Sequence, residues 1–278
     1  MDPAMTSPAL QEIIALLGCP AAGNPAQYLF ERAIEAAELD WRFITFDVAA
    51  DDVAAAVAGA AALGLRGCLV SGPLREACLR LVTTASPSAE FAGSVSLLER
   101  RTDGLAGHMT DGRGIVEALR AHVDPVGKGA LVIGADACGR AAALELALAG
   151  ATRLVICDPD TERSRSLAEA LTSVHAADAG VADWQAGIVV PPEIAIVVLS
   201  SLGGQAAAVS GLRPDLVVAD ALLTAGLSPL ASLAASAGCC VVDGIEIHAA
   251  QTAIDFQMLT GLEPDIEMLR DSLEEYLS

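Results

Sequence analysis

The stretch GALVIGADACGRAAALELALAG, residues 129 to 150, constrains the fold more than any other. A β-rich apolar run enters a glycine-containing turn and leaves as an alanine- and leucine-rich helix, the opening unit of a doubly wound parallel sheet. The same alternation continues behind it: strand "TRLVICDPD", a helix through "RSRSLAEALTS", strands around "EIAIVVLSS" and "DLVVADAL", helix "SPLASLAASAG", strand "CCVVDG". It also precedes it, in the apolar run "EIIALLGCP", a helical stretch near residues 25 to 38, strand "WRFITFDV", helix "DDVAAAVAGAAAL" and strand "GCLVSG". Strand, helix, strand, helix, strand predicts a parallel α/β layer in the first part as well. The C-terminal stretch reads as helical, and "LRDSLEEYL" has the pattern of an amphipathic surface helix. No internal repeat or low-complexity linker interrupts the series.

Charge narrows the partners. A formal net charge of −20 with no basic stripe repels phosphodiester backbones and anionic lipid heads, so nucleic acid and membrane partners are not expected. Apolar residues make up 53% of the chain, yet their uninterrupted runs fall well short of the roughly 18 residues a span requires. The opening "MDPAMTSPALQE" lacks the basic start and apolar centre of a secretory leader, and a cytoplasmic location is expected. The cysteines (19, 68, 78, 138, 157, 239, 240) form no C-x-x-C pair and sit mostly in apolar segments, the pattern of reduced structural thiols. The four histidines are scattered, and no metal site is expected. Lys128 is the single lysine among 16 basic residues, so chemistry that needs a lysine has to use it or do without.

The turn "LVIGADACGRA" carries glycines at 134 and 139 but Asp136 at the middle position of G-x-G-x-x-G. That glycine lets the backbone approach a pyrophosphate closely; an aspartate adds a side chain and a negative charge. The context still favours a dinucleotide, because a turn that follows a strand and opens a helix offers N–H groups and a positive dipole end to an anion. Asp158, at the end of the next strand, is placed to accept from a ribose 2′-OH and to repel a 2′-phosphate, which favours NAD over NADP. The plainer alternative for Asp158 is a helix cap or turn former in "DPDT", with Arg163 and Arg165 close by.

Block by block, the chain resembles the shikimate/quinate dehydrogenase family of aromatic amino-acid biosynthesis. The family's opening G-N-P-I-S-H-S-L-S-P stands here as "GCPAAGNPAQ" (18–27), and its N-V-T-x-P-H-K as "LVSGPLR" (69–75). G-A-V-N-T becomes "GSVSL" (93–97), and G-x-N-T-D-G becomes "GHMTDG" (107–112). The cofactor turn G-A-G-G-A-A-R-A corresponds to "GADACGRA". G-L-G-M-L-x-x-Q corresponds to "GIEIHAAQ" (244–251), followed by "FQMLTG" for F-x-x-W-T-G.

The resemblance implies an N-terminal α/β substrate-binding domain over residues 1–112 and a Rossmann-like doubly wound NAD(P)-binding domain over 113–243. It further implies C-terminal helices, 244–278, that return to the first domain. It places Asn24, Ala26, Ser71, Ser96 and Gln251 at substrate-binding positions. Gly134, Ala135, Asp136, Ala137, Cys138, Gly139, Asp158, Ser200 and Gly244 fall at the cofactor, and Arg75 and Asp111 at the catalytic pair. It also implies a monomer or homodimer.

The departures fall on the chemistry. One of the two serines of the first motif becomes Asn24 and the other Ala26, and the catalytic lysine becomes Arg75. A guanidinium stays charged up to about pH 12 and cannot act as a general base, but it polarises a carbonyl or grips a carboxylate. Lys128 lies too far along the chain to substitute, so Asp111 is left as base or proton relay. The expected function is hydride transfer between nicotinamide and the secondary alcohol or ketone of a cyclic hydroxy-acid other than shikimate. The alternative is a catalytically silent relative that binds cofactor or ligand as a sensor or assembly subunit, with Arg75 and Asp111 an ordinary salt bridge.

Overall fold

The computed structural model describes residues 11–174, 178–184, 187–200 and 209–278. Ser201, at the end of a predicted strand, and most of the opening segment lie outside them.

Strand β1 (Glu12–Gly18) lies parallel to both β2 (Trp41–Asp47) and β3 (Gly67–Val70), with helices α1 (Ala26–Ala36) and α2 (Val53–Leu63) between the strands in sequence. The expected parallel layer is therefore present, and it is extended in a way the motifs did not announce. After the short elements α3 (Arg75–Leu79), β4 (Thr84–Ala85) and α4 (Pro87–Ala92), strands β5 (Leu97–Arg101) and β6 (Gly104–His108) form an antiparallel hairpin. β5 is also antiparallel to β3, and the six-stranded sheet runs β2-β1-β3-β5-β6-β4. Only Thr102 and Asp103 separate β5 from β6, far fewer than the dozen or more residues a parallel crossover needs. The mixed sheet follows from that short turn.

Helix α5 (Asp111–Arg120) leads into the second sheet, which is parallel throughout. Its elements are β7 (Gly129–Ile133), α6 (Ala137–Leu148), β8 (Arg153–Cys157), α7 (Thr161–Val174), β9 (Asp178–Val181), β10 (Ile188–Val189), β11 (Ile194–Leu199), β12 (Val209–Ser210), β13 (Val217–Asp220), α8 (Pro229–Ser236) and β14 (Cys240–Val242). The strand order is β14-β13-β11-β7-β8-β9, with β10 and β12 paired separately. Every residue of β7 is buried, as a strand covered on both faces requires, and this explains its unbroken apolar sequence.

Two helices close the chain, α9 (Gly244–Thr260) and α10 (Ile266–Leu277). Phe256, Leu259, Leu269 and Leu273 share one buried cluster with Ile14, Leu16, Phe30 and Phe43, so the C-terminal helices pack on the first sheet. The approach is close: a β-carbon on Gly67 of β3 would stand 2.4 Å from the Leu259 side chain. Burial of each of these large apolar side chains contributes about 1.5–3 kcal/mol. Helix α9 also lies against α5, where a β-carbon on Gly114 would meet that of Gln251 at 2.7 Å. Through these two packings α9 is held against both the first sheet and α5.

Candidate active site

Strand β3 ends at Val70, and the chain turns through Ser71 into one 3-10 turn, Gly72–Leu74. Gly72 adopts φ 47°, Pro73 fixes the turn, and Leu74 is buried as its anchor. Arg75 therefore starts α3 with its side chain folded back on the strand. Its Nε donates to the Val70 carbonyl at 2.9 Å, and Nη1 donates to Asp111 Oδ2 at 2.6 Å. Asp111 is the first residue of α5, where the helix dipole favours an anion, and it is 7% exposed. Its other oxygen, Oδ1, accepts from Gln251 Nε2 of α9 at 2.6 Å. Burial works against the Arg75 charge, but Asp111 outweighs it, and the guanidinium is held more basic than usual.

The carboxylate is placed by backbone contact. A β-carbon at Gly112 would stand 2.3 Å from the Ala141 carbonyl oxygen of α6, so only glycine lets α5 sit this close to α6. Thr110, just before the helix, donates its N–H to Ser96 Oγ at 2.9 Å, and the two hydroxyls are hydrogen-bonded at 2.9 Å.

These groups line two adjoining cavities. The smaller, of about 180 Å³, is bounded by Asn24, Ala26, Ser71, Ser96, Arg75 and Gln251, among others. All five residues expected to bind substrate thus meet at one place. The Ser96 hydroxyl is taken up by Thr110, so Ser96 shapes the wall without offering a free hydroxyl. Asn24 Oδ1 accepts from Ala26 N–H at 2.9 Å, which fixes the start of α1 and turns the amide NH₂ away from that bond. The larger cavity, of about 400 Å³, is bounded by Arg75, Asp111, Asp136, Ala137, Cys138 and Gln251. Arg75, His248 and Gln251 line both cavities and form the boundary between them.

Two residues of this site were not singled out from the sequence, His248 and Asp255. With Gln251 they stand at i, i+3 and i+7 on α9, a spacing that puts all three on one face. His248 Nδ1 lies 2.8 Å from the Gly244 carbonyl oxygen. Burial holds the imidazole below its usual pKa, with the Gly244 hydrogen bond and Asp111 acting in the opposite direction and Arg75 adding to the lowering. Asp255 is 4% exposed, and burial pushes its carboxyl up to about 7 against a hydrogen bond with Thr110. Among the described residues its Oδ1 has no partner.

At the cofactor turn Gly134 adopts φ 102°, and a β-carbon at Gly139 would stand 1.9 Å from the Gly134 carbonyl oxygen, so both glycines are required by the turn itself. Asp136 caps α6, its Oδ1 accepting from Gly139 N–H at 2.8 Å. Ala137 and Cys138 face the larger cavity, while Ala135 lines a shallower one with Arg140 and Arg163.

Asp158 is not disposed as the sequence reading expected. Its side chain is fully buried, accepting from Ala135 N–H at 2.7 Å and Asp160 N–H at 2.8 Å and pairing with Arg163 at 3.0 Å. Because both oxygens are engaged inside the turn, the carboxylate braces the loop and offers nothing to a ribose hydroxyl. Ser200 is likewise fully buried, with its N–H on the Ile133 carbonyl. Gly244 is buried under Leu222, whose carbonyl oxygen would meet a β-carbon there at 2.2 Å. These three support the site from behind.

A dinucleotide fits this turn in its tight backbone, its small flanking residues and the cavity that leads from Cys138 to Arg75. The Asp136 carboxylate is set against a pyrophosphate at the helix start.

The chain resembles known proteins along nearly its whole length. A model of the shikimate dehydrogenase substrate-binding domain matches residues 16–98. Shikimate dehydrogenase (NADP(+)) of Citrifermentans bemidjiense is 31% identical over 271 residues, 94% of this chain and 93% of that protein. The ligand-free 5-ketofructose reductase of a Gluconobacter strain superposes with a TM-score of 0.90 at 30% identity, over 96% of this chain and 99% of that one. The Listeria monocytogenes shikimate 5-dehydrogenase in complex with shikimate and NAD gives 0.86 at 25% identity, over 95% and 96%. With its substrate-binding and Rossmann-like halves meeting at these two cavities, the chain belongs to the shikimate dehydrogenase family.

Proposed function

We propose that the protein is an NAD(P)-dependent oxidoreductase that interconverts a secondary alcohol and a ketone on a small cyclic hydroxy-acid other than shikimate. The observation that carries this reading is the Arg75–Asp111 pair, 2.6 Å apart, in the wall of a cavity that reaches from the substrate residues to the cofactor turn. When bound there, the nicotinamide dinucleotide supplies or accepts the hydride. The turn residues Ala135–Cys138 would hold it.

Arg75 keeps Nη2 clear of its bonds to Val70 and Asp111, so a substrate oxygen can accept from it and be polarised. Asp111 and Gln251 keep the guanidinium in place. Ser71 and Asn24 offer a hydroxyl and an amide NH₂ to substrate hydroxyls, and the methyl of Ala26 leaves room where the family motif has a serine. That exchange of hydroxyl for carboxamide and methyl supports a substrate other than shikimate. With Asp158 buried, nothing in the turn selects against a 2′-phosphate, and the proposal extends to NADP as well as NAD.

The test is a reduced-nicotinamide absorbance assay with NAD and NADP against shikimate, quinate, 5-ketofructose and a wider hydroxy-acid panel. The expected result is turnover of at least one probe, with kcat lowered about 10²-fold or more in Asp111→Asn. A second reading, a silent ligand-binding relative, draws on the Asp136 cap and on the absence of a titratable lysine at position 75. Calorimetric binding of NADPH with flat traces for the whole panel would favour it.

A further inference from the structure

We propose that His248 is the proton-transfer residue of this site, taking the role that an arginine at position 75 leaves open. The inference rests on the oxidoreductase reading and adds to it the group that handles the proton.

The geometry narrows the candidates. Arg75 has no proton to give up near neutrality and is tied to two acceptors. Asp111 has an arginine on one oxygen and a glutamine amide on the other, so a proton would have to displace a charge-assisted hydrogen bond. His248 differs from both. Its Nδ1 faces a carbonyl oxygen at 2.8 Å, and a carbonyl only accepts, so Nδ1 carries the hydrogen and the neutral ring presents the Nε2 lone pair. Nε2 has no hydrogen bond among the described residues, and the ring lines both cavities at the boundary where a substrate oxygen next to the cofactor side must lie.

The charged and titratable groups facing it are Arg75 from α3, Asp111 from α5, Asp136 and Cys138 at the start of α6, Glu76 at the cavity rim and Asp255 further along α9. Burial favours the neutral ring, the form that accepts a proton. The family motif quoted above has a leucine at this position, so the imidazole accompanies the loss of the lysine.

In alcohol oxidation a nicotinamide held by Ala135–Cys138 would accept the carbinol hydrogen and its electron pair as hydride. The O–H bond breaks in favour of Nε2, the C–O bond becomes C=O, and the imidazolium returns its proton to solvent through the larger cavity. Reduction runs the same step backwards.

The test uses the full chain and His248→Gln, which keeps a polar side chain and loses the titration. His248→Leu, which restores the family residue, is the second variant should the glutamine misfold. With the best substrate of the panel, both variants are expected to lower kcat about 10²–10³-fold. They should also abolish the acid limb of the oxidation profile, whereas Asp111→Asn lowers kcat and keeps that limb.

Diethylpyrocarbonate, followed by peptide mass spectrometry, reads the free Nε2 without turnover. His248 is expected to be acylated in the folded parent, with a midpoint below about 6.5, and to be protected by NADPH plus the best substrate of the panel. A parent that turns over while His248→Gln keeps its rate and its acid limb overturns the role of His248 and leaves the oxidoreductase reading standing. So does a His248 that reacts only after unfolding. A parent that turns over no probe overturns the oxidoreductase reading first and the role of His248 with it.

Discussion

Asp111 and Asp136 both sit at the start of a helix and both line the larger cavity, yet the two carboxylates are engaged in different ways. Asp111 is gripped by a guanidinium from α3 and an amide from α9, so two other elements converge on it. Asp136 caps its own helix through an N–H three residues on. The substrate side is thus a tertiary clamp in which each substitution is felt by its neighbours. On the side proposed for the cofactor, Asp136 is a local cap at the place where an anion would lie.

The sharpest way to probe the clamp is through Asp255. Its folded carboxyl keeps a proton up to about 7, whereas an unfolded aspartate loses it near about 4. Between those values the folded state binds more protons, so this residue stabilises the fold at low pH and the contribution is lost as pH rises. Asp255→Asn removes that loss. Relative to the parent, its stability should rise by up to about 4 kcal/mol between about pH 4 and about pH 8, read from urea midpoints at each pH. A constant difference across that range would show that burial does not hold the Asp255 carboxyl protonated.

Ser96→Ala is the next largest change. It strips the buried Thr110 N–H of its acceptor, with an expected cost of about 1–3 kcal/mol in chemical denaturation. Because Thr110 precedes Asp111, KM for substrate should rise as well.

On the cofactor side the expected sign is reversed for binding. Asp136→Gly restores the glycine of the fingerprint at a cost of only a few tenths of a kcal/mol in capping. It should tighten NADPH binding about tenfold, some 1.4 kcal/mol, in a fluorescence titration. Unchanged or weaker affinity would break the comparison, since Asp136 would then not be what opposes the anion.

How legible all this was in the sequence depended on the range of the interactions. The second sheet could be read because buried parallel strands such as β7 and β11 are apolar at every position and are separated by helices of ordinary length. The β5–β6 hairpin was not, because its strand ends coincide with "GSVSL" and "GHMTDG", stretches read for chemistry rather than for shape. Arg75, Asp111 and Gln251 were singled out through the resemblance to the family's motifs.

His248 and Asp255 carried no such flag. One polar residue among the alanines of α9 has the look of a surface position until the helix is known to be covered on both flanks. Their shared spacing with Gln251 was the available signal. Asp158 misled for a related reason: a carboxylate after a strand serves a ribose or its own loop equally well in sequence, and here the loop took it.

The missing side chain at Gly112 has one more consequence. Because Gly112 lets main chain press against main chain, the start of α5, from which the neighbouring carboxylate projects, is seated by α6 before any side chain of the smaller cavity bears on it. Mutation can remodel that cavity around a new molecule while the acidic landmark stays where it is. The condition is that no residue larger than glycine intrudes at that crossing.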